Sequence, residues 1–452
     1  MDMTVQKNDR LTVFVEDLTH DGQGVAKVDG YPLFIKGALP DEEVEIHVVK
    51  ALKKYGFAKL LEVNKPSPFR VSAPCPVFET CGGCQLQHLS YEGQLMVKEK
   101  QVRSAMERIG KIHAPVLPVK GMDNPWRYRN KSQIPFGLED GRVVAGFYKS
   151  GSHDIADTPT CLIQSEEADR LMVALKERAL EFGLTPYDEK TGQGQLRHLV
   201  VRTGYVSGET MVVLVTKSRK ISQPERLIQL IREIEPTTVS IVQNINPART
   251  NVIFGEETFV HWGKSQIVDS IGDIQFEISA RSFYQINPVQ TKVLYEQALE
   301  YANLTGHETV MDAYCGIGTI SLFLAQKAKS VVGVEIVPPA VEDARRNAVL
   351  NGFTNAEFEI GAAEDVITAW YEAGQVPDVV VVDPPRKGLD GKLIETLVAH
   401  KPRRIVYVSC NPATLARDLR LFEDGGYTIH EVQPVDMFPH STHVECVTYL
   451  TI

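Results

Sequence analysis

Apolar and polar residues alternate in short runs at the start of the chain. "RLTVFVEDLT", "GVAKVDGYPLFIKGAL", "EEVEIHVVKAL" and "YGFAKLLEV" alternate this way between Gly, Pro and Asp punctuation. A period of two buries one face of a strand, and four or five such strands predict a small antiparallel barrel over residues 1–63. "NKPSPFRVSAPCP" is polar and Pro-rich and reads as a linker. "YEGQLMVKEKQVRSAMERIG" has a helical pattern that Gly110 stops. "LRHLVVRTG", "TMVVLVTK" and "TTVSIVQNINP" are strand-like and fall in a central α+β region, residues 64–265, whose 93–120 helix is placed to pack on the C-terminal domain. From 266 to 452 the rhythm changes. "TVMDAYCGIGTISLFLAQKA", "SVVGVEIVPPAVEDARRNAVLNG", "PDVVVVDPPRKGL" and "RIVYVSCNPATLARDL" each run strand, Gly- or Pro-rich turn, helix. This α/β alternation predicts a parallel sheet covered by helices on both faces.

A chain of 452 residues is too long for one ordinary core, in line with these three regions. No run is long enough to span a bilayer, and the N-terminus lacks a basic-then-apolar export signal. The expectation is a cytoplasmic protein with no membrane association and no obligate protein partner. The net charge of −10 excludes capture of nucleic acid by the whole molecule, though not by a local patch. From Val97 to Ser150 eleven Lys or Arg face five acids, and Trp126, Tyr128, Phe136, Phe147 and Tyr148 are interleaved. Aromatic residues among cations suit phosphates and stacked bases. Trp126, Arg127, Arg129 and Lys131 are the candidate RNA contacts, with an exposed strand of solvated charges as the equal alternative.

The ends of the apolar strands carry the candidate chemistry. Gly316 and Gly318 in "CGIGT" permit a tight turn and close backbone approach to a ligand. Glu335 closes the next strand nineteen residues after Gly316, where a carboxylate accepts from both hydroxyls of a ribose. Together they indicate a nucleoside cofactor without saying which. Asp383 ends "VVVVD" and Cys410 ends "VYVSC" on the same rim, where open α/β sheets hold their ligands. A thiol in such a strand alone reads as packing. Four chemistry-bearing strand ends together count against that packing reading. The seven cysteines are unevenly spread: Cys75, Cys81 and Cys84 cluster as C-x5-C-x2-C, with Cys161 downstream. Four thiolates suit Zn²⁺ and an iron–sulfur cluster equally.

"DAYCGIGTISL", "VVGVE", "DPPRKGL", "SCNPATLARDL" and "DMFPHSTHVECV" resemble the RNA uracil-5 methyltransferases over nearly the whole chain. The resemblance implies a class I, Rossmann-like methyltransferase domain that uses S-adenosylmethionine. It also implies an N-terminal TRAM (OB-like) RNA-binding barrel and a central iron–sulfur domain whose [4Fe–4S] ligands are Cys75, Cys81, Cys84 and Cys161. Cys410 is implied as the nucleophile and Glu445 as the general base. Gln285, Tyr314, Gly316, Gly318, Glu335 and Asp383 are implied in cofactor binding, with Glu364 or Asp365 at adenine.

Attack on uracil C6 needs a thiolate, so a cationic surrounding is expected for Cys410, with Arg417 and the helix after Pro412 as its source. His440 and His443 near Glu445 also form a weaker metal pattern. The target uridine is expected to be extruded into a pocket between barrel, central region and methylase domain. Within the resemblance, the 23S ribosomal RNA branch fits best, because the tRNA branch generally lacks both barrel and cluster. A cytosine-5 methylase is disfavoured because Arg386 stands where such enzymes place a second cysteine. A tRNA uracil-5 methylase and a non-catalytic assembly factor on the same fold are the alternatives.

Overall fold

The computed structural model describes residues 5–452. Strands β1 (Arg10–Leu18), β2 (Gln23–Val28), β3 (Tyr31–Lys36), β4 (Glu43–Ala51) and β5 (Gly56–Lys65) close a barrel in the order β1-β2-β3-β5-β4. Alternate residues such as Val13, Val15, Ile35, Val44 and Ile46 fill it. The expected all-antiparallel pairing fails at one junction, where β3 and β5 run parallel. A closed ring of five strands cannot alternate direction all the way round, so one pair must share a direction. The stretch after the barrel is no free linker: Arg70 reaches back to Glu42 at 2.8 Å and to the Gly37 carbonyl at 2.7 Å.

Helix α1 (Tyr91–Ala105) is capped by the Ser90 hydroxyl and runs into a π turn, Met106–Gly110. The central sheet contains β6 (Lys131–Glu139), β7 (Arg142–Tyr148), β8 (Ile155–Asp157), β9 (Leu196–Thr203), β10 (Thr210–Thr216), β11 (Thr238–Ile245) and β12 (Glu257–Gly263). Their order is β12-β11-β10-β9-β6-β7-β8. Helices α2 (Glu166–Arg178) and α3 (Pro224–Ile234) cover one face. On the other face Val200, Met211, Val213 and Val242 share a core with the hairpin β13 (Gln266–Ile271), β14 (Ile274–Ser279) and with the C-terminal sheet.

After α4 (Pro288–Ala302), strands and helices alternate: β15 (Thr309–Ala313), α5 (Thr319–Ala325), β16 (Ser330–Glu335), α6 (Pro338–Leu350), β17 (Ala356–Ile360), α7 (Ala363–Glu372). Then come β18 (Val379–Val382), α8 (Gly391–His400), β19 (Arg404–Ser409), α9 (Pro412–Asp424), β20 (Thr428–Val435) and β21 (Glu445–Thr451). The order is β17-β16-β15-β18-β19-β21-β20. It reverses beside β15, which opens a crevice at the carboxyl ends of β15 and β18. The sheet is parallel except for β21, which runs antiparallel to both β19 and β20. The 106–110 turn lies on α9, so closely that a Cβ on Gly110 would sit 2.7 Å from the Ala416 carbonyl oxygen. Among the described residues no helix is long and apolar enough to cross a membrane.

Candidate active site

A cleft of about 1230 Å³ lies over the carboxyl ends of the C-terminal strands. Tyr314, Gly316, Glu335, Asp383, Cys410 and Glu445 line one side of it. Gln285 joins them from the segment before α4, and Val242, Thr258 and Val260 of the central sheet form the opposite wall. Among the described residues no barrel residue lines the cleft, so only two of the three regions expected at the pocket build it.

Strand register explains how the chain brings these groups together. Ser409 pairs with Cys446 at the end of the β19–β21 ladder. Cys410 follows Ser409 and Glu445 precedes Cys446, which brings the two side chains near one another at the cleft. On the other flank Val382 pairs with Tyr407, so Asp383 leaves β18 one strand away on the same rim. Tyr314, after β15, has φ +68°, a costly conformation that a functional site retains. Gly316 follows at φ +57°, with open space where a Cβ would point, and its N–H donates to Glu335 Oε2 at 3.2 Å. The second Glu335 oxygen accepts from the Val337 N–H at 2.9 Å. Gly318 does not face the cleft: it caps α5 and packs on Phe358. Of the two acids proposed for adenine, Glu364 lines the cleft, whereas Asp365 turns outward to Lys392 at 2.5 Å.

Residues 187–452 match the family described as tRNA (Uracil-5-)-methyltransferase, and residues 5–61 match the TRAM domain. The chain belongs to this methyltransferase family. Its members are S-adenosylmethionine-dependent RNA uracil-5 methyltransferases. An uncharacterized RNA methyltransferase of Halalkalibacterium halodurans is 60% identical, covering 99% of this chain and 98% of that one. Another, from Bacillus cereus strain ATCC 10987, is 58% identical over 99% of this chain and 97% of its own. Among solved structures, the Pyrococcus abyssi tRNA (uracil-54, C5)-methyltransferase in complex with S-adenosyl-L-homocysteine superposes with a TM-score of 0.79. It is 29% identical, covering 98% of this chain and 100% of that one. That tRNA enzyme therefore spans the barrel too, which removes barrel possession as a marker of the ribosomal branch.

The methyltransferase's cleft is rich in buried acids. Burial pushes Asp383 up to about 7 and Glu445 up to about 8, with Asp383 raising Glu445 further; Asp312, which does not line the cleft, is likewise pushed up to about 7. Burial also holds the Cys410 thiol up at about 11, and Glu445 and Asp383 add to that. The expected lowering is absent, and so is its expected source. Arg417 is committed to Asp418 at 2.7 Å and to the Lys387 carbonyl at 2.9 Å. The cation that opposes the rise at both Cys410 and Glu445 is Arg386, in the turn after Asp383. Sequence reading named Arg386 only as a missing cysteine, although a cation in "DPPRKG" was the available signal. The buried carboxyls Asp383 and Glu445 suit a positively charged ligand such as a sulfonium, in a cleft whose lining also carries Arg281, Arg346, Arg386 and Lys387. A positive charge entering the cleft would lower the pKa of all three groups, as Arg386 does.

The two histidines separate. His443 faces the cleft, while His440 is buried and stacks on Trp126 at 3.7 Å between centroids. They form no metal pair. Arg127, expected on RNA, is spent inside: it binds Asp169 at 2.6 Å and the Cys161 carbonyl at 2.7 Å. Tyr128 is buried and donates to the Pro439 carbonyl at 3.1 Å. Arg129 and Lys131 differ from these. Lys131 lies opposite Arg202 in the β6–β9 ladder, and burial with Arg202 and Arg129 lowers it to about 8.

Cys75, Cys81, Cys84 and Cys161 gather on one side of the central region. Burial pushes Cys84 up to about 12, with Cys161 and Cys81 contributing, and Cys75 likewise raises Cys81. Among the described residues no three His, Cys, Asp or Glu side chains converge around one ion. A single tetrahedral Zn²⁺ at about 2.3 Å from each sulfur needs thiolates about 3.8 Å apart. As placed, the four thiols do not form such a site among the described residues. An all-thiol donor set is the chemistry that Zn²⁺ and an iron–sulfur cluster both take.

Proposed function

We propose that this is a cytoplasmic enzyme that methylates C5 of a uridine in 23S ribosomal RNA, with Cys410 as nucleophile and Glu445 as base. One observation carries the mechanism: the antiparallel insertion of β21 sets Glu445 against Cys410 on the rim that holds Gly316 and Glu335. Cys410 as thiolate bonds through Sγ to C6 of the uracil, and the electron pair of the C5–C6 double bond moves toward C5 and O4. S-adenosylmethionine, when bound, supplies a methyl group as an electrophile on a cationic sulfur. C5 then carries both the methyl group and its original proton. Glu445 takes that proton, the double bond re-forms, and Cys410 leaves C6 as thiolate. Arg386 favours the anionic forms of both groups. Tyr314, Gly316, Glu335, Asp383 and Glu364 are the proposed cofactor contacts, with Gln285 on the methionine part or the uracil edge.

Arg129 and Lys131 are proposed to hold phosphates of the RNA. A second RNA surface is the outer face of the barrel, where Phe34, Tyr55 and Phe57 form a triangle with 5.7 Å between each pair of rings. Cys75, Cys81, Cys84 and Cys161 are proposed as ligands of one [4Fe–4S] cluster, and no catalytic step runs through it. Iron and sulfide in the anaerobically isolated protein test this, and stoichiometric zinc without iron rejects it.

The full-length likeness to a tRNA methylase favours a second reading, a tRNA uridine as substrate. Transcribed 23S rRNA and total tRNA, each incubated with enzyme and methyl-labelled cofactor, decide between them. Label at C5 of uridine in 23S rRNA, lost in Cys410→Ala, supports the first reading; label in tRNA alone rejects it.

A further inference from the structure

Irregular loops normally lie on the surface, where water satisfies their carbonyls. The strap between β20 and β21 does the opposite. Asp436, Met437 and Pro439 to Thr442 are buried, while Phe438 and His443 open onto the cleft. Five consecutive carbonyls are gripped from four places in the chain. Gln290 Nε2 donates to the Asp436 carbonyl at 3.0 Å and Asn287 Nδ2 to that of Met437 at 3.0 Å. Lys98 Nζ donates to Phe438 at 3.0 Å and the Tyr128 hydroxyl to Pro439 at 3.1 Å. The Gln85 and Leu86 N–H groups both donate to His440 at 2.9 Å, directly after Cys84.

Helix α1 supplies the strongest hold. Lys98 and Asp436 form an ion pair at 2.5 Å with both side chains wholly buried, and the Tyr91 hydroxyl donates to the other Asp436 oxygen at 2.9 Å. Gln94 Oε1 accepts the His440 N–H at 2.8 Å, and its amide lies 3.2 Å from His440 Nδ1. A buried ion pair is a poor way to gain stability, because desolvation offsets most of the attraction, but it is a good way to fix a geometry. The geometry fixed here is that of the strap leading directly into Glu445. We infer that Lys98 and Gln94 are positioning residues for proton removal, acting through the strap on Glu445. The inference rests on the roles proposed for Cys410 and Glu445. α1 lies outside the C-terminal domain in sequence, so assembly of the cleft requires the segment that carries Cys75, Cys81 and Cys84 to be docked.

Two halves of the reaction separate this role from general support of the fold. Bond formation at C6 needs Cys410; release of the product needs Glu445. If the target uridine is 5-fluorouridine, the methylated C5 carries fluorine and has no proton to lose, so the enzyme stays bonded to RNA. The probe is whichever transcript, 23S rRNA or tRNA, accepts label above, made with 5-fluorouridine. Lys98→Met is tested beside Gln94→Leu, which leaves the buried ion pair intact and keeps the protein folded if Lys98→Met does not. Both are expected to form the bonded complex at within about threefold of the unaltered rate and to bind RNA unchanged. Turnover on ordinary RNA should fall roughly 100-fold, as displacements near 1 Å do. Unchanged turnover in Gln94→Leu, or an equal fall in bonding and turnover, overturns the inference. No bonded complex from the unaltered enzyme overturns the Cys410 reading itself, and this inference with it.

Discussion

The strand-end rim and the segment Trp126–Lys131 both read as sites in the sequence, and the fold treats them differently. Cys410, Asp383 and Glu335 face the cleft. In the segment, Trp126 stacks on His440, Arg127 is bound to Asp169 and Tyr128 is buried. Of the three cations in this segment, Arg127 has a carboxylate partner, and Arg129 and Lys131 have none among the described residues. The difference lies in what constrains each. A residue just past the carboxyl end of a parallel strand has its direction set by topology, because the crevice is there. A residue in a mixed aromatic and cationic stretch has only its composition, which does not say which way it points. The barrel shows the same composition turned outward, where Tyr55, Lys53 and Lys54 are all exposed.

The largest effect that tests the rim comes from Glu445→Gln. Turnover should fall about 10²–10⁴-fold while the RNA-bonded form accumulates on ordinary uridine, seen as a slow band in denaturing gels. Equal loss of bonding and turnover would remove Glu445 from the base role. The same change should alter stability with a defined pH sign. Burial raises Glu445 to about 8 in the fold, against an ordinary value of 4.5. Ionising it therefore opposes folding increasingly from about pH 4.5 upward, and fully above about pH 8. Glutamine removes that opposition. Glu445→Gln should melt higher than the unaltered enzyme at pH 8.5, and the gap should close near pH 5. A gap independent of pH would mean that the carboxyl is not buried in this way.

Arg127→Ala tests the inward half of the comparison. It leaves Asp169 partly buried and frees the Cys161 and Gln164 carbonyls. Loss of about 1–3 kcal/mol of stability follows, read from denaturant midpoints. RNA affinity measured well below the melting temperature should hold. A weakened affinity with stability unchanged would return Arg127 to the RNA surface.

Much of the rim was legible because its signals are local: an apolar run, then an acid, a glycine or a cysteine. What stayed hidden depends on partners far away in sequence. The placement of Glu445 against Cys410 requires β21 to enter the sheet antiparallel, and nothing in "HVECVTYL" states that direction; only the family likeness supplied the role. Arg417 sits near Cys410 in sequence, yet Asp418 beside it captures its guanidinium, and Arg386 from the neighbouring strand end faces the thiol instead. The strap reads as a plain loop because its carbonyl partners lie as far away in sequence as Gln85 and Leu86.

The smallest expected effect decides whether the barrel, and not the 126–131 segment, supplies the main outward-facing RNA surface. Register places Phe34 beside Phe57 and Lys36 beside Lys59 on the outer face, with Lys50 also opposite Phe57. Lys53, Lys54 and Tyr55 form the turn above them. Among the described residues the barrel's ion pairs are Lys27 with Glu16, Asp17 with Lys100 and Glu42 with Arg70, so none of these five lysines is neutralised by a carboxylate. On a chain of net charge −10, such a concentration of unpaired cations around clustered aromatic rings matches the backbone and bases of unpaired RNA. Tyr55→Ala should weaken RNA binding by about 1–3 kcal/mol, the value of one base stack. Changing Lys53 and Lys54 together to Ala should reduce the slope of log affinity against log salt by about 0.7 for each lysine on single-stranded RNA. Saturated turnover should not move, because no barrel residue lines the cleft among those described. A fall in saturated turnover would mean that the barrel orients the target base, and an unchanged salt slope would shift the electrostatic contact to Arg129 and Lys131.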